Sequence, residues 1–99
     1  MKLEDAKTLA WGYTLAEIAR GLGLVDTWQN DPADRTAARL AREGIAQYRS
    51  TAVLGRPATI AERRTLSRAL VALENDELID RLLDHRGVWA IRVRTQTEQ

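Results

Sequence analysis

The stretch Thr59–Arg94, TIAERRTLSRALVALENDELIDRLLDHRGVWAIRVR, carries most of the architectural information in the chain. Thr59, followed three residues later by Glu62, is a capping box that opens a helix predicted over 59–75. Leu66, Ala69, Leu70 and Leu73 recur at helical spacing and form its buried stripe. Arg64, Ser67, Arg68 and Val71 point the other way, with Arg63 flanking them. After a short link, residues 78–84 and 88–95 alternate as two paired strands around the turn His85-Arg86-Gly87. In the second strand, Trp89, Ile91 and Val93 share one face; Val88, Ala90, Arg92 and Arg94 share the other.

Upstream, Asp31 before Pro32 is a strong helix start, and the 100° periodicity runs on from there to about Tyr48. A helix over 32–48 is expected, with Ala37, Leu40, Ala41, Gly44, Ile45 and Tyr48 inward and Arg35, Arg39, Arg42 and Arg49 aligned outward. Residues 49–58 read as a loop or short turn, because Gly55 and Pro57 break regular structure. The N-terminal segment predicts two helices, 3–11 and 14–23, separated near Gly12. Thr14 and Glu17 would cap the second, Leu15, Ile18, Ala19 and Leu22 would form its apolar face, and Gly21 and Gly23 would end it. Residues 25–32 form a polar link.

The 99 residues make one domain that is mainly α with a C-terminal β-hairpin, an α+β class. With no cysteine, disulfides, thiolate metal sites and cysteine nucleophiles are excluded. No nucleophile–base pair, glycine-rich phosphate loop or metal signature occurs, so neither an enzyme nor a cofactor is expected. His85 lies at a turn and is expected to face solvent. Asp76 and Glu77 are expected to shape the helix exit, and Asp80 and Asp84 to lie on an exposed strand face, rather than to bind a cation. Trp11, Trp28 and Trp89 are expected in the core rather than as stacking platforms. Met1-Lys2-Leu3-Glu4-Asp5 carries charge where a signal peptide needs its apolar run, and no stretch is long enough to span a membrane, so a cytoplasmic location is expected.

Net charge is only +1, but its distribution is uneven. Residues 1–31 carry −2, 32–72 carry +5, 73–84 carry −4 and 85–99 carry +2. Thirteen of the fifteen basic residues are arginine, whose planar fork suits phosphates and guanine edges.

Residues 14–24, TLAEIARGLGL, resemble the first helix and turn of many bacterial helix-turn-helix regulators. Residues 61–74, AERRTLSRALVALE, with Glu77-Leu78-Ile79 after them, resemble the recognition helix and exit of winged helix-turn-helix regulators, with Glu77 in place of the usual glycine. The resemblance implies three to four helices plus a wing, and binding to double-stranded DNA as a small transcriptional regulator or a replication or partition factor. It assigns Arg63, Arg64, Ser67 and Arg68 to the major groove. Arg86, with Arg92 or Arg94, would contact DNA from the wing, and Arg35, Arg39, Arg42 and Arg49 would hold the phosphates. A homodimer through the N-terminal helices, around Trp11 and Tyr13, is also expected. The alternative is a winged-helix module for protein interaction, which the acidic segment after Leu73 suits.

Overall fold

The computed structural model describes residues 1–24 and 31–94. Trp28, the rest of the link over 25–30 and the tail over 95–99 lie outside the described residues. The chain is an α+β fold: α1 (Leu3–Leu22), α2 (Pro32–Arg42), β1 (Ile45–Gln47), α3 (Ser50–Leu54), α4 (Ile60–Asn75), β2 (Ile79–Asp84) and β3 (Gly87–Val93). The strands form one antiparallel sheet in the order β1-β3-β2.

α4 and the hairpin lie where their local chemistry puts them. The Thr59 hydroxyl accepts from the Glu62 N–H, and the Glu62 carboxylate accepts from the Thr59 N–H, so both orphan donors are satisfied. Leu66, Ala69, Leu70 and Leu73 are buried. The helix ends in a Schellman turn: the Glu77 N–H donates to the Glu74 carbonyl and the Leu78 N–H to that of Leu73. Glu77 therefore takes the left-handed conformation, φ 64°, that glycine would adopt without strain. Glu77→Gly is expected to raise stability by about 1 kcal/mol, the cost of one left-handed L-residue, and urea denaturation would register it.

The N-terminal segment departs from expectation, since α1 is one continuous helix of 20 residues with no break at Gly12. Thr14 is buried, and its hydroxyl donates to the Ala10 carbonyl, so it satisfies a mid-helix acceptor instead of capping a new helix. The buried face also differs. Ala6, Ala10, Thr14 and Gly21 point inward, while Leu15, Ala19 and Leu22 are exposed. Small inward residues let α1 lie close to its neighbours: Ala10 packs with Leu70, Leu73, Ile79 and Ile91, and Ala6 with Leu66 and Ala69.

Gly21 sits inside the helix rather than ending it. A Cβ there would lie 2.6 Å from Ala41 Cβ and 2.7 Å from the Ala37 carbonyl oxygen, so α2 crosses directly over it. At Gly12 a Cβ would meet nothing within 4 Å. The two glycines should therefore respond oppositely to alanine. Gly12→Ala is expected to stabilise by about 0.5–1 kcal/mol through helix propensity. Gly21→Ala is expected to destabilise by about 1–3 kcal/mol through overpacking, and thermal melts of both variants test the contrast.

α2 ends at Arg42, six residues before the expected end at Tyr48. Its Asp31 cap forms as expected, with the Asp34 N–H donating to the Asp31 carboxylate. Gly44, at φ 73°, then turns the chain into β1, and the Val93 N–H donates to the Gly44 carbonyl. Ile45–Gln47 pairs with Ala90–Arg92 of β3. Ile45 and Ala46 are buried by this non-local pairing, not by a helix face. The Tyr13 hydroxyl donates to the Gln47 carbonyl (2.7 Å), tying α1 to the sheet.

The hairpin carries a bulge. Leu82 pairs with Ala90 and Leu83 with Val88, which leaves Trp89 as the extra residue. The bulge shifts the alternation: Val88 joins Ile91 against α1 and α4, while Ala90 packs with Leu40 and Ile45. Trp89 does not share a buried face with Ile91 and stays 39% exposed, in contrast to the expected core position. Trp11, by comparison, is partly buried against the main core.

Candidate nucleic-acid interface

Two hollows meet along the exposed face of α4. The first, about 710 Å³, is lined by Ile60, Arg63, Arg64, Ser67 and Arg68. The second, about 470 Å³, joins Arg63, Ser67 and Leu70 to Tyr48, Arg49, Ser50 and Thr51 at the start of α3, and to Arg86, Gly87 and Val88 at the hairpin turn. Arg63 and Ser67 line both. Arginines of α4, of the hairpin turn and from just before α3 therefore line one continuous open surface.

Each element is held in place by chemistry legible in the structure. α3 occupies the first half of the segment read as a loop, and Gly55 ends it at φ 73°. Five residues, 55–59, then connect α3 to α4. The Arg56 guanidinium grips the Glu62 carboxylate with two hydrogen bonds (2.9 and 2.5 Å), locking this connection to the first turn of α4. It also neutralises the acidic Glu62 side chain next to Arg63 in the helix. On the other side, Arg81 donates to Glu74 through its backbone N–H (3.2 Å) and Nε (2.9 Å), bracing β2 against α4. The Asp84 carboxylate accepts from the Arg86 N–H (2.7 Å) and shapes the turn that presents Arg86.

The Arg56 guanidinium, and the Thr59 N–H after it, hold the Glu62 carboxyl at about 2, well below its ordinary 4.5. Arg81 lowers Glu74 in the same way, and Arg94 and Arg92 lower Asp80. Folding favours the carboxylate form of each group. The stability Glu62 contributes is therefore fully present above about pH 4.5 and is lost as pH falls toward 2. The urea midpoint is expected to decline across that window, and the decline should be shallower in Glu62→Gln.

The arginines divide by ion pairing. Arg20 pairs with Glu17 and Asp34, Arg56 with Glu62, Arg81 with Glu74, and Arg92 and Arg94 with Asp80. Among the described residues, no carboxylate pairs with Arg49, Arg63, Arg64, Arg68 or Arg86, nor with Arg39 on α2, which lies outside the hollows. Every arginine that lines the hollows belongs to this second group.

Of the residues singled out from sequence, the structure brings together Arg63, Arg64, Ser67, Arg68 and Arg86. Arg49 joins them as the residue before α3 rather than as the end of the α2 stripe, which is a correction to its expected place. Arg92 and Arg94 do not join; they bind Asp80 at the base of the hairpin, and six residues of strand, about 20 Å, separate Arg86 from Arg92. Arg35, Arg39 and Arg42 are exposed on α2, which packs on α1 and β1 and lines neither hollow. Trp11 and Tyr13 are turned partly inward, and the large apolar side chains that α1 exposes are Leu3, Leu9, Leu15 and Leu22.

His85 is exposed at the hairpin turn. Asp76 pairs with Lys7 (3.3 Å) across the α4–α1 contact. Among the described residues, no cluster of three metal-ligating side chains occurs and no helix is long and apolar enough to cross a membrane. Compared with protein families, curated proteins and solved structures, the chain matches none.

Proposed function

We propose that the chain is a winged helix-turn-helix domain that binds double-stranded DNA, with α3, the 55–59 turn and α4 as the helix-turn-helix and β2–β3 as the wing. The observation that carries this reading is the convergence of five arginines without carboxylate partners among the described residues, from α4, the hairpin turn and the residue before α3, on one open surface. α3 supports it further, because a short helix and a turn stand directly ahead of α4, whereas residues 14–24, which resembled a first helix and turn, belong largely to the continuous α1. Sixteen residues of α4 span about 24 Å, and a B-form major groove about 12 Å wide admits a helix. Arg63, Arg64 and Arg68 lie on its exposed side with Ser67 between them, suited to guanine O6 and N7 and to phosphate. Arg86 and Arg49 reach the backbone on either side.

A small transcriptional regulator or a replication or partition factor is the role this binding suits. The exposed Leu9, Leu15 and Leu22 of α1 support a homodimer.

Fluorescence anisotropy of a labelled random-sequence duplex, titrated at several salt concentrations, tests the reading. Three to five arginine–phosphate contacts give a slope of log K against log salt of roughly −3 to −5. Absence of binding at low salt would sink it and favour the protein-interaction module.

A further inference from the structure

Ile60 is the most exposed of the large apolar residues in the described structure, at 62%, although it is the first residue of the best-anchored helix. The buried stripe of α4 begins at Leu66 and leaves Ile60 out. Its surroundings are the arginines and serine of the first hollow: Arg63 and Arg64 follow at the next turn, and Ser67 after a further one. Spacings of four and seven residues put Ile60, Arg64 and Ser67 in one line along the helix.

Resting on the DNA-binding reading, we propose that Ile60 reads the 5-methyl group of a thymine within two base pairs of the guanine contacted by Arg64. The major-groove edge of a base pair offers hydrogen-bonding groups and a single apolar marker, the thymine C5-methyl. An isoleucine outside the buried stripe of its helix and mostly exposed, set among side chains that match the polar groups of the same groove, has that methyl as its complement. Four residues separate Ile60 from Arg64, a rise of about 6 Å, which is just under two base-pair steps of about 3.4 Å. The preferred site therefore carries thymine within two base pairs of that guanine.

The test begins with selection of the tightest sequence from a random 20-base-pair pool by the wild-type protein. The winner is then resynthesised with deoxyuridine replacing each thymine in turn, which removes only the methyl. At one position the substitution is expected to weaken wild-type binding about fourfold, the effect of one buried methylene-sized group. Ile60→Ala is expected to bind the thymine and uracil versions equally and to melt at the wild-type temperature. Binding that is indifferent to uracil at every position overturns the inference while leaving the DNA-binding reading intact. Undiminished discrimination in Ile60→Ala also overturns it, and failure of the pool to yield any bound duplex at low salt overturns both.

Discussion

Replacing Arg63 and Arg64 together with alanine is expected to abolish most of the affinity for duplex DNA while leaving the fold unchanged. Both side chains are exposed on α4 and have no carboxylate partner among the described residues, so their removal strands no buried charge. Each bidentate guanine contact contributes about 1–3 kcal/mol of discrimination, so removing two lowers affinity for a preferred sequence by at least about 30-fold. The salt slope should also become shallower by about one for each arginine–phosphate pair removed. Arg94→Ala supplies the opposite pattern. Its guanidinium is committed to Asp80 (2.8 Å), so the variant is expected to keep its DNA affinity and to lose at most about 1 kcal/mol of stability, as is usual for an exposed pair. Anisotropy titrations and urea melts of both variants separate the two groups of arginines.

Leu70→Ala is expected to have the largest effect on stability. Leu70 is 1% exposed and packs with Ala10, Leu73, Ile79 and Ile91, which places it where α1, α4 and the hairpin meet. Truncating a fully buried leucine costs about 2–5 kcal/mol, depending on how far the cavity collapses. The neighbouring α1 residue is already an alanine and cannot fill the space by rotating, which favours the upper part of that range. A domain of this size has only about 5–15 kcal/mol in total, so the urea midpoint should fall steeply. Leu70 also lines the second hollow, together with Ser67 and Val88. The same substitution should therefore loosen the angle between α4 and the β2–β3 hairpin, and weaken the proposed DNA binding even under conditions where the variant remains folded.

The elements legible in the sequence are those whose signals are local. The Thr59–Glu62 box, the Asp31-Pro32 start and the two alternating segments each specify a conformation within a few residues, and each forms. The rest depends on partners distant in sequence. Ile45 and Tyr48 fall in phase with the apolar side of α2, so the three residues of β1 carry a helical pattern, and only pairing with β3 makes them a strand. Thr14 has the composition of a cap, but a buried threonine within a helix makes the same residue pattern by bonding back to Ala10. The inward face of α1 gives little hydrophobic signal, because close helix packing selects alanine and glycine and leaves Leu15 and Leu22 outside. α3 is too short for its five residues to show a helical period.

The candidate site divides along the same line. Arg63, Arg64, Ser67 and Arg68 stand out in the sequence because they share one face of a helix with a clear buried stripe, and Arg86 because it sits in a turn. The commitment of Arg92 and Arg94 to Asp80 crosses between strands, and the place of Arg49 depends on where α2 stops. Spacing encodes neither. The sorting of arginines by ion pairing, which carries the functional reading, belongs to the tertiary structure.

If duplex DNA docks on the surface made by the start of α3, the exposed face of α4 and the hairpin turn, its footprint on the backbone should be continuous across all three. Amide chemical-shift mapping of the full chain with a short duplex at low salt reads that footprint residue by residue. Perturbations should cluster at residues 49–51, 60–68 and 85–88, and should fade as salt is raised. Shifts confined to α2 around Arg35, Arg39 and Arg42, or to the exposed leucines of α1, would contradict this docking.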